Sequence, residues 1–417
     1  MAVGCSSGQQ AIKVEIVKTK DSYQLVRNGY PYIIKGAGLS NDDIESVQAH
    51  GGNSIRNWST NNKRISTQEL LDKALKNGVT VSLCLPLTPE RSGFDYNNAE
   101  LVKEQFDKMK RDVLKYRNHP ALLSWIIGNE LNHSYTNPAV YNAVNDISKM
   151  IHQLDPNHPT TTTVAGLYPS VLNEITTRAA DLDFVSFQLY GKLFGLPKFL
   201  EDTGYNKPFM VTEWGAIGYW EMEKTAWETP VEMTSSEKAE IYQRGYQKVL
   251  LPLQNQLLGN YVFLWGQKQE RTPTWFGLYT AEGEETEAVD VMHYIWNEKW
   301  PSNRTPTLNN MLLDNKTSRQ NVTLKSGVTY KASVDSTDYE GDSLTYRWEV
   351  KAESMATQEG GDFEKNISNI ENLIENPTVR NIQIKAPQTS GAYRLLVYVY
   401  DNHKHAAHAN IPFYVED

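Results

Sequence analysis

Between about Tyr23 and Trp300 the sequence alternates short apolar runs with helical patterns, and this alternation restricts the fold more than any other feature. Such runs, each followed by a helical stretch, are typical of parallel strands buried beneath helices. The candidate strands are Tyr32–Gly36, Ser54–Trp58, Val79–Leu85, Leu122–Ile127, Thr160–Ala165, Phe184–Leu189, Phe209–Thr212 and Tyr261–Trp265. The candidate helices are Asn41–Ala49, Thr67–Asn77, Ala99–Tyr116, Pro138–Leu154, Ser170–Ala180, Ser235–Leu250 and Glu287–Trp296. Eight strands with intervening helices predict an α/β fold, the (β/α)8 barrel.

Changes in the sequence pattern divide the rest of the 417-residue chain into a tail, a linker and a second module. Residues 1–22 are expected to form an N-terminal tail and lead-in, and residues 23–300 the barrel. The stretch 301–306 is rich in proline and polar residues, which indicates a linker. From residue 307 to 417 only strand and turn patterns follow, and they predict a small all-β sandwich of immunoglobulin-like type. Asp335–Trp348 resembles a turn and strand of PKD and cadherin-like domains.

Composition excludes several classes of protein. The formal net charge is −9 and no basic stripe is visible, which argues against a nucleic-acid partner. No apolar run approaches the roughly 18 residues of a membrane span. We find no zinc-ligand spacing, no phosphate-binding or dinucleotide glycine pattern and no serine-hydrolase elbow. Aromatic residues make up 11% of the chain, which fits either a sugar-binding cleft or a Trp- and Tyr-rich core.

The chain has two cysteines, so a disulfide framework is not expected. Cys84 falls in a buried strand pattern. The start, Ala2-Val3-Gly4-Cys5, resembles a bacterial lipobox, in which the cysteine is lipidated and becomes the mature N-terminus. On this interpretation the chain is an exported bacterial protein, a periplasmic or cell-surface lipoprotein anchored to the membrane through Cys5. The alternative is that these residues are an expression remnant.

Two glutamates stand at the ends of candidate barrel strands. Glu130 lies just past the fourth strand, after Gly128 and Asn129, and Glu213 directly follows the seventh. Barrel enzymes carry their chemistry at the carboxyl ends of the strands. A single glutamate there is more often structural, but two carboxylates across one barrel mouth are what glycoside hydrolysis requires. The sequence therefore predicts Glu130 and Glu213 as the catalytic pair.

The surroundings of both glutamates resemble glycoside hydrolase family 2, and more broadly clan A of the glycoside hydrolases. Asn118–Glu130 is similar to the acid/base signature of that family, and Lys207–Gly215 to its nucleophile strand. The resemblance implies that Glu130 is the acid/base and Glu213 the nucleophile. The jelly-roll and immunoglobulin-like modules that precede the barrel in that family are not in this sequence.

The same resemblance implies substrate-binding and supporting roles for further residues. Gly52–Trp58 matches the second-strand motif, whose arginine, here Arg56, supports the nucleophile; the motif ends at Trp58. Asn129 matches the asparagine that bonds the sugar 2-hydroxyl, Tyr190 the tyrosine that orients the nucleophile, and Trp265 the tryptophan under the reacting sugar. Other candidates for sugar contact are Trp214 and Trp220 after the nucleophile, and Gln267, Lys268 and Trp275 in the loop after the eighth strand.

Together these residues predict a retaining β-glycoside hydrolase that acts on a β-linked oligo- or polysaccharide without a cofactor. A transglycosylase of the same mechanism is an alternative, because both form the same covalent intermediate. A non-catalytic glycan-binding lipoprotein is a second alternative, although binding alone needs no nucleophile. Asp335, Asp338 and Asp342 have turn spacing that suits either calcium ligands or turn caps, so no metal is assigned.

Overall fold

The computed structural model describes residues 10–61, 64–357 and 360–417. Its strands are β1 Val14–Lys18, β2 Tyr23–Arg27, β3 Tyr30–Pro31, β4 Ile34–Gly38, β5 Ser54–Arg56, β6 Thr80–Leu85, β7 Leu122–Ile127, β8 Thr160–Ala165, β9 Phe184–Leu189, β10 Phe209–Trp214, β11 Leu257–Val262, β12 Thr307–Leu313, β13 Val322–Lys325, β14 Thr329–Thr337, β15 Thr345–Ala352, β16 Asn381–Lys385, β17 Gly391–Tyr400 and β18 Ala406–Glu416. Its α-helices are α1 Ile44–Ala49, α2 Thr67–Lys76, α3 Ala99–Tyr116, α4 Ala139–Leu154, α5 Pro169–Arg178, α6 Leu196–Thr203, α7 Ser235–Gly245 and α8 Glu287–Asn297. Among the described residues, no helix has both the length and the apolar character to cross a membrane.

The predicted (β/α)8 barrel is confirmed. Strands β4 to β11 pair in chain order, all parallel, and β11 closes the ring on β4. Each of these strands is followed by one helix. Every residue of β6, β7, β9 and β10 is buried, as expected of strands that face side chains on one side and helices on the other.

The structure corrects two details of the barrel pattern. The eighth barrel strand is Leu257–Val262, earlier than the predicted Tyr261–Trp265, because Gly259 and Asn260 break its apolar run without ending the strand. Helix α6, which the sequence pattern did not predict, begins with a proline in its first turn and ends at a left-handed Gly204.

The chain forms two compact units. One contains the residues up to Trp214 together with Gln247–Phe263, and therefore the whole closed ring of strands. Near the start of the described residues, β1 pairs with β2 and β2 with β3, and β1 lies within the predicted lead-in. Val14 and Leu25 of this small sheet share a core cluster with barrel residues, among them Phe184, Met210 and Tyr261.

The second unit contains Gly215–Tyr246 and Leu264–Asp417. Helices α7 and α8 pack against each other, and α7 also packs on β12 and β18. Seven strands form two sheets, in the orders β12-β14-β16 and β13-β18-β17-β15, around one apolar core. The predicted β-sandwich is therefore present. The boundaries predicted at residues 22, 300 and 306 were drawn from changes in the sequence pattern. The division into compact units is different, because it places α7 and α8 in the same unit as the sandwich.

Candidate active site

Both predicted catalytic glutamates lie at the carboxyl ends of parallel barrel strands. Glu213 is the next-to-last residue of β10, and Glu130 follows the end of β7 after Gly128 and Asn129. Because the carboxyl ends of all eight strands meet on one face of a closed barrel, the two side chains belong to the same face.

Three donors, from the carboxyl ends of strands β5 and β9, hold the Glu213 carboxylate. Arg56 Nη1 and Trp58 Nε1 each donate to Glu213 Oε1, both at 2.7 Å. The Tyr190 hydroxyl donates to Glu213 Oε2 at 2.8 Å. The Glu213 side chain is 6% exposed and that of Arg56 is 0% exposed, so this is a buried ion pair. These three hydrogen bonds fix the orientation of the Glu213 carboxylate.

Aromatic packing fixes two of these donors. The Phe263 ring meets the Trp58 ring edge-on at 5.8 Å and the Tyr190 ring edge-on at 5.7 Å. The Trp58 ring also lies 4.6 Å from the Arg56 guanidinium. A Cβ at Gly38 would come within 3.0 Å of the Trp58 ring, so glycine there leaves room for the indole. Sequence reasoning did not single out Phe263, because its apolar position resembles any other core residue.

Glu130 has a left-handed backbone, with φ of 49°. Such conformations cost non-glycine residues roughly 1–3 kcal/mol and are concentrated at functional sites. The Thr163 hydroxyl accepts the Glu130 backbone N–H at 2.9 Å. Asn132 fastens the same loop, since its amide donates to the Ala165 carbonyl and accepts the Ala165 N–H, both at 2.9 Å. His133 Nε2 lies 3.6 Å from Glu130 Oε2.

Arg56 contacts both Glu213 and Asn129, the residue that precedes Glu130. Its Nη2 donates to Asn129 Oδ1 at 2.9 Å, while its Nη1 holds Glu213. One guanidinium thereby sets the positions of the nucleophile candidate and of the residue next to Glu130.

The nearby thiol does not compete as a nucleophile. Cys84, on β6, is fully buried, and its backbone N–H donates to Asn57 Oδ1. Burial raises the pKa of the Cys84 thiol to about 11, more than the Arg56 charge lowers it. The thiol therefore stays protonated at neutral pH.

Trp214, predicted as a sugar platform, is buried, and its indole N–H donates to Asn260 Oδ1 at 2.9 Å. The candidates that follow residue 214 in the chain belong to the second unit. Trp265 packs 5.2 Å from Trp296, and the Trp275 indole donates to the Ile217 carbonyl.

In the same loop, Gln267 Nε2 donates to the Pro273 carbonyl, and Lys268 forms a 2.6 Å ion pair with Glu270. Trp220 is 49% exposed. Substrate contact by these residues stays a prediction.

The aspartates of the sandwich turn do not all come together. Asp338, Asp342 and Asp401 each bring one carboxylate oxygen to within 4.8 Å of the others. Asp335 instead pairs with Arg380. Three acidic oxygens at this spacing could hold a cation, but turn capping explains them equally, since Asp338 Oδ1 accepts the backbone N–H groups of Glu340 and Asp342.

A closed parallel barrel with two carboxylates at strand ends, one of them held by an arginine, a tryptophan and a tyrosine, defines a barrel of the glycoside hydrolase class. The chain belongs to glycosyl hydrolase family 2, because the model of the TIM barrel domain of that family matches residues 42–255. The resemblance drawn from the sequence motifs is thus confirmed.

Solved structures share the fold at low identity. A β-glucuronidase of Bacteroides uniformis is 14% identical, with a TM-score of 0.52, over 97% of this chain and 48% of its own. A family 2 β-galacturonidase of Eisenbergiella tayi is 16% identical, with a TM-score of 0.53, over 69% of this chain and 54% of its own. The chain therefore spans about half the length of these enzymes. A comparison with curated protein sequences gives no match.

Proposed function

We propose that this chain is a retaining β-glycosidase in which Glu213 is the nucleophile and Glu130 the acid/base. The observation that carries the proposal is the set of three donors on Glu213. A glycan-binding protein needs hydrogen bonds to hydroxyl groups, but it has no use for a buried carboxylate that three donors orient at a barrel mouth.

The hydrogen bonds to Glu213 favour Oε2 as the attacking atom. Glu213 Oε1 accepts two hydrogen bonds, which occupy both of its lone pairs, whereas Oε2 accepts one. Oε2 therefore keeps a lone pair for the anomeric carbon. As Oε2 forms that bond, Glu130 gives its proton to the departing glycosidic oxygen, and a covalent glycosyl-enzyme results.

In the second step Glu130, now ionised, takes a proton from water. The water oxygen attacks the anomeric carbon and the bond to Glu213 Oε2 breaks, so two inversions give net retention. An acceptor sugar in place of water would give transglycosylation. Asn129 stands beside Glu130 with its Oδ1 turned to Arg56, and we assign its Nδ2 to the sugar hydroxyl next to the anomeric carbon.

Variants of the two glutamates test the proposal on a panel of aryl β-glycosides. Glu213→Gly should be inactive, and azide should restore turnover by giving a glycosyl azide of inverted configuration. Glu130→Ala should still react with good leaving groups, which need little protonation, and azide should then give the retained product. Opposite stereochemistry would exchange the two roles, and unchanged turnover in both variants would place the active site elsewhere.

We also propose export and membrane anchoring through Cys5, which lies outside the described residues. The support is the small-residue motif before the cysteine. Expressed with a native signal peptide, the protein should fractionate with membranes and its Cys5→Ala variant should not. Equal partitioning of the two would exclude lipidation.

A further inference from the structure

A buried glutamine of strand β9 contacts the Asn129 amide, and no sequence motif draws attention to it. Gln188 is 2% exposed and pairs with Glu213 in the register of β9 and β10. Its Nε2 donates to Asn129 Oδ1 at 2.8 Å. The same oxygen accepts Arg56 Nη2 at 2.9 Å, and the Thr163 hydroxyl makes a longer contact with it at 3.5 Å. The two short hydrogen bonds, from Gln188 and Arg56, occupy both lone pairs of Asn129 Oδ1.

Only one orientation of the Asn129 and Gln188 amides satisfies these hydrogen bonds. A guanidinium has no acceptor, so Asn129 must turn its oxygen toward Arg56. Gln188 must then turn its NH2 group toward that oxygen, since two amide oxygens would repel each other. Within the described part of the chain the Asn129 Nδ2 group has no protein acceptor, and it is the end of the amide left for a ligand.

The arrangement leaves a buried acceptor without a partner. Gln188 Oε1 is closed to solvent and accepts no hydrogen bond from the described residues. A lone buried acceptor destabilises a fold, and an apolar residue of similar length would avoid it. Stability of the barrel therefore does not explain a glutamine at this position, whereas orientation of Asn129 does.

We propose that Gln188 is a positioning residue, which locks the Asn129 amide so that Nδ2 meets the substrate hydroxyl next to the anomeric carbon. The inference rests on the proposed glycosidase function. It assigns to Gln188 no contact with substrate, so its influence on rate passes through Asn129.

The test compares a 4-nitrophenyl β-glycoside that the wild-type protein cleaves with its 2-deoxy analogue. Gln188→Met keeps the length of the side chain and removes the donor. It should lower kcat/KM for the full glycoside roughly 5- to 10-fold, the effect of one lost hydrogen bond, and change the 2-deoxy substrate less than about 2-fold. Asn129→Ala should show the same selectivity, and the double variant should be no slower than Asn129→Ala alone.

Ser186→Ala is the matched control. Ser186 lies on the same strand, is fully buried and shares a 2.9 Å hydrogen bond with the Thr161 hydroxyl. It should leave the ratio of the two substrates unchanged. If Gln188→Met fails to fold, Gln188→Asn, whose shorter amide falls short of Asn129, should give the same selective loss.

Equal losses on both substrates, or additive effects with Asn129→Ala, would overturn the role of Gln188 alone. Wild-type protein that cleaves no β-glycoside would overturn the proposed function and this inference with it.

Discussion

Removal of the Tyr190 hydroxyl isolates one contact to the nucleophile candidate. In Tyr190→Phe the ring should keep its edge-on contact with Phe263, while Glu213 Oε2 loses the hydrogen bond from the Tyr190 hydroxyl. Hydrogen bonds to charged groups contribute about 1.5–3 kcal/mol, and each 1.36 kcal/mol is about tenfold in rate. If this contact orients Oε2 for attack, kcat/KM should fall roughly 10- to 150-fold.

Steady-state kinetics on an aryl β-glycoside, with the midpoint of thermal unfolding measured alongside, provide the assay. Tyr205→Phe is the matched control, because the Tyr205 hydroxyl donates to the Pro208 carbonyl at 3.1 Å and its ring contacts Phe187. The control should change kcat/KM less than about 2-fold. A Tyr190→Phe enzyme that is as active as wild type, or no slower than the control, would refute the assignment of Oε2.

Three further predictions concern the buried groups. Arg56→Met leaves the Glu213 carboxylate buried without its cation, so the free energy of unfolding measured with urea should fall by about 3–5 kcal/mol; an unchanged value would mean that the pair contributes little. Cys84→Ala should keep kcat, because its thiol is protonated; loss of turnover in a folded variant would show that the thiol takes part. Burial, and then the Lys238 charge, lower the pKa of His408 from 6.5 to about 3, so only the unfolded chain takes up this proton between those values. Stability should therefore decrease as the pH falls below 6.5, by up to about 1.4 kcal/mol per pH unit, and His408→Asn should reduce that slope; an identical slope would contradict the burial of a neutral imidazole.

The barrel could be predicted because parallel strands buried on both faces appear as continuous apolar runs. Leu122–Ile127 and Phe184–Leu189 lie where the pattern puts them. The predicted bounds of strand β11 were wrong because they were drawn from apolar residues alone. Gly259 and Asn260 interrupt the apolar run, but their backbones still pair with β4. Helix α6 is short and half polar, so its apolar pattern is weak. The proline in its first turn and Gly204 at its end were the two features from which it could have been predicted.

The candidate active site could be proposed from the sequence where residue type and position together point to one kind of chemistry. Two strand-end glutamates and an arginine on another strand indicate a charged site by residue type and position alone. Gln188 and Thr163 could not be selected in this way, because a polar residue inside a strand gives no sign of which partner it meets. Their contacts depend on how neighbouring strands are aligned, and that alignment is set only when the barrel closes.

Covalent trapping tests the central claim most directly. The wild-type protein is incubated with a 2-deoxy-2-fluoro β-glycoside bearing a good leaving group, and the labelled peptide is identified by mass spectrometry. The fluorine slows both steps, while the good leaving group restores the rate of the first, so the glycosyl-enzyme should accumulate. The account predicts one glycosyl group per chain, attached to Glu213. A label on another carboxylate, or inverted product with no label from a glycoside that the protein cleaves, would contradict it.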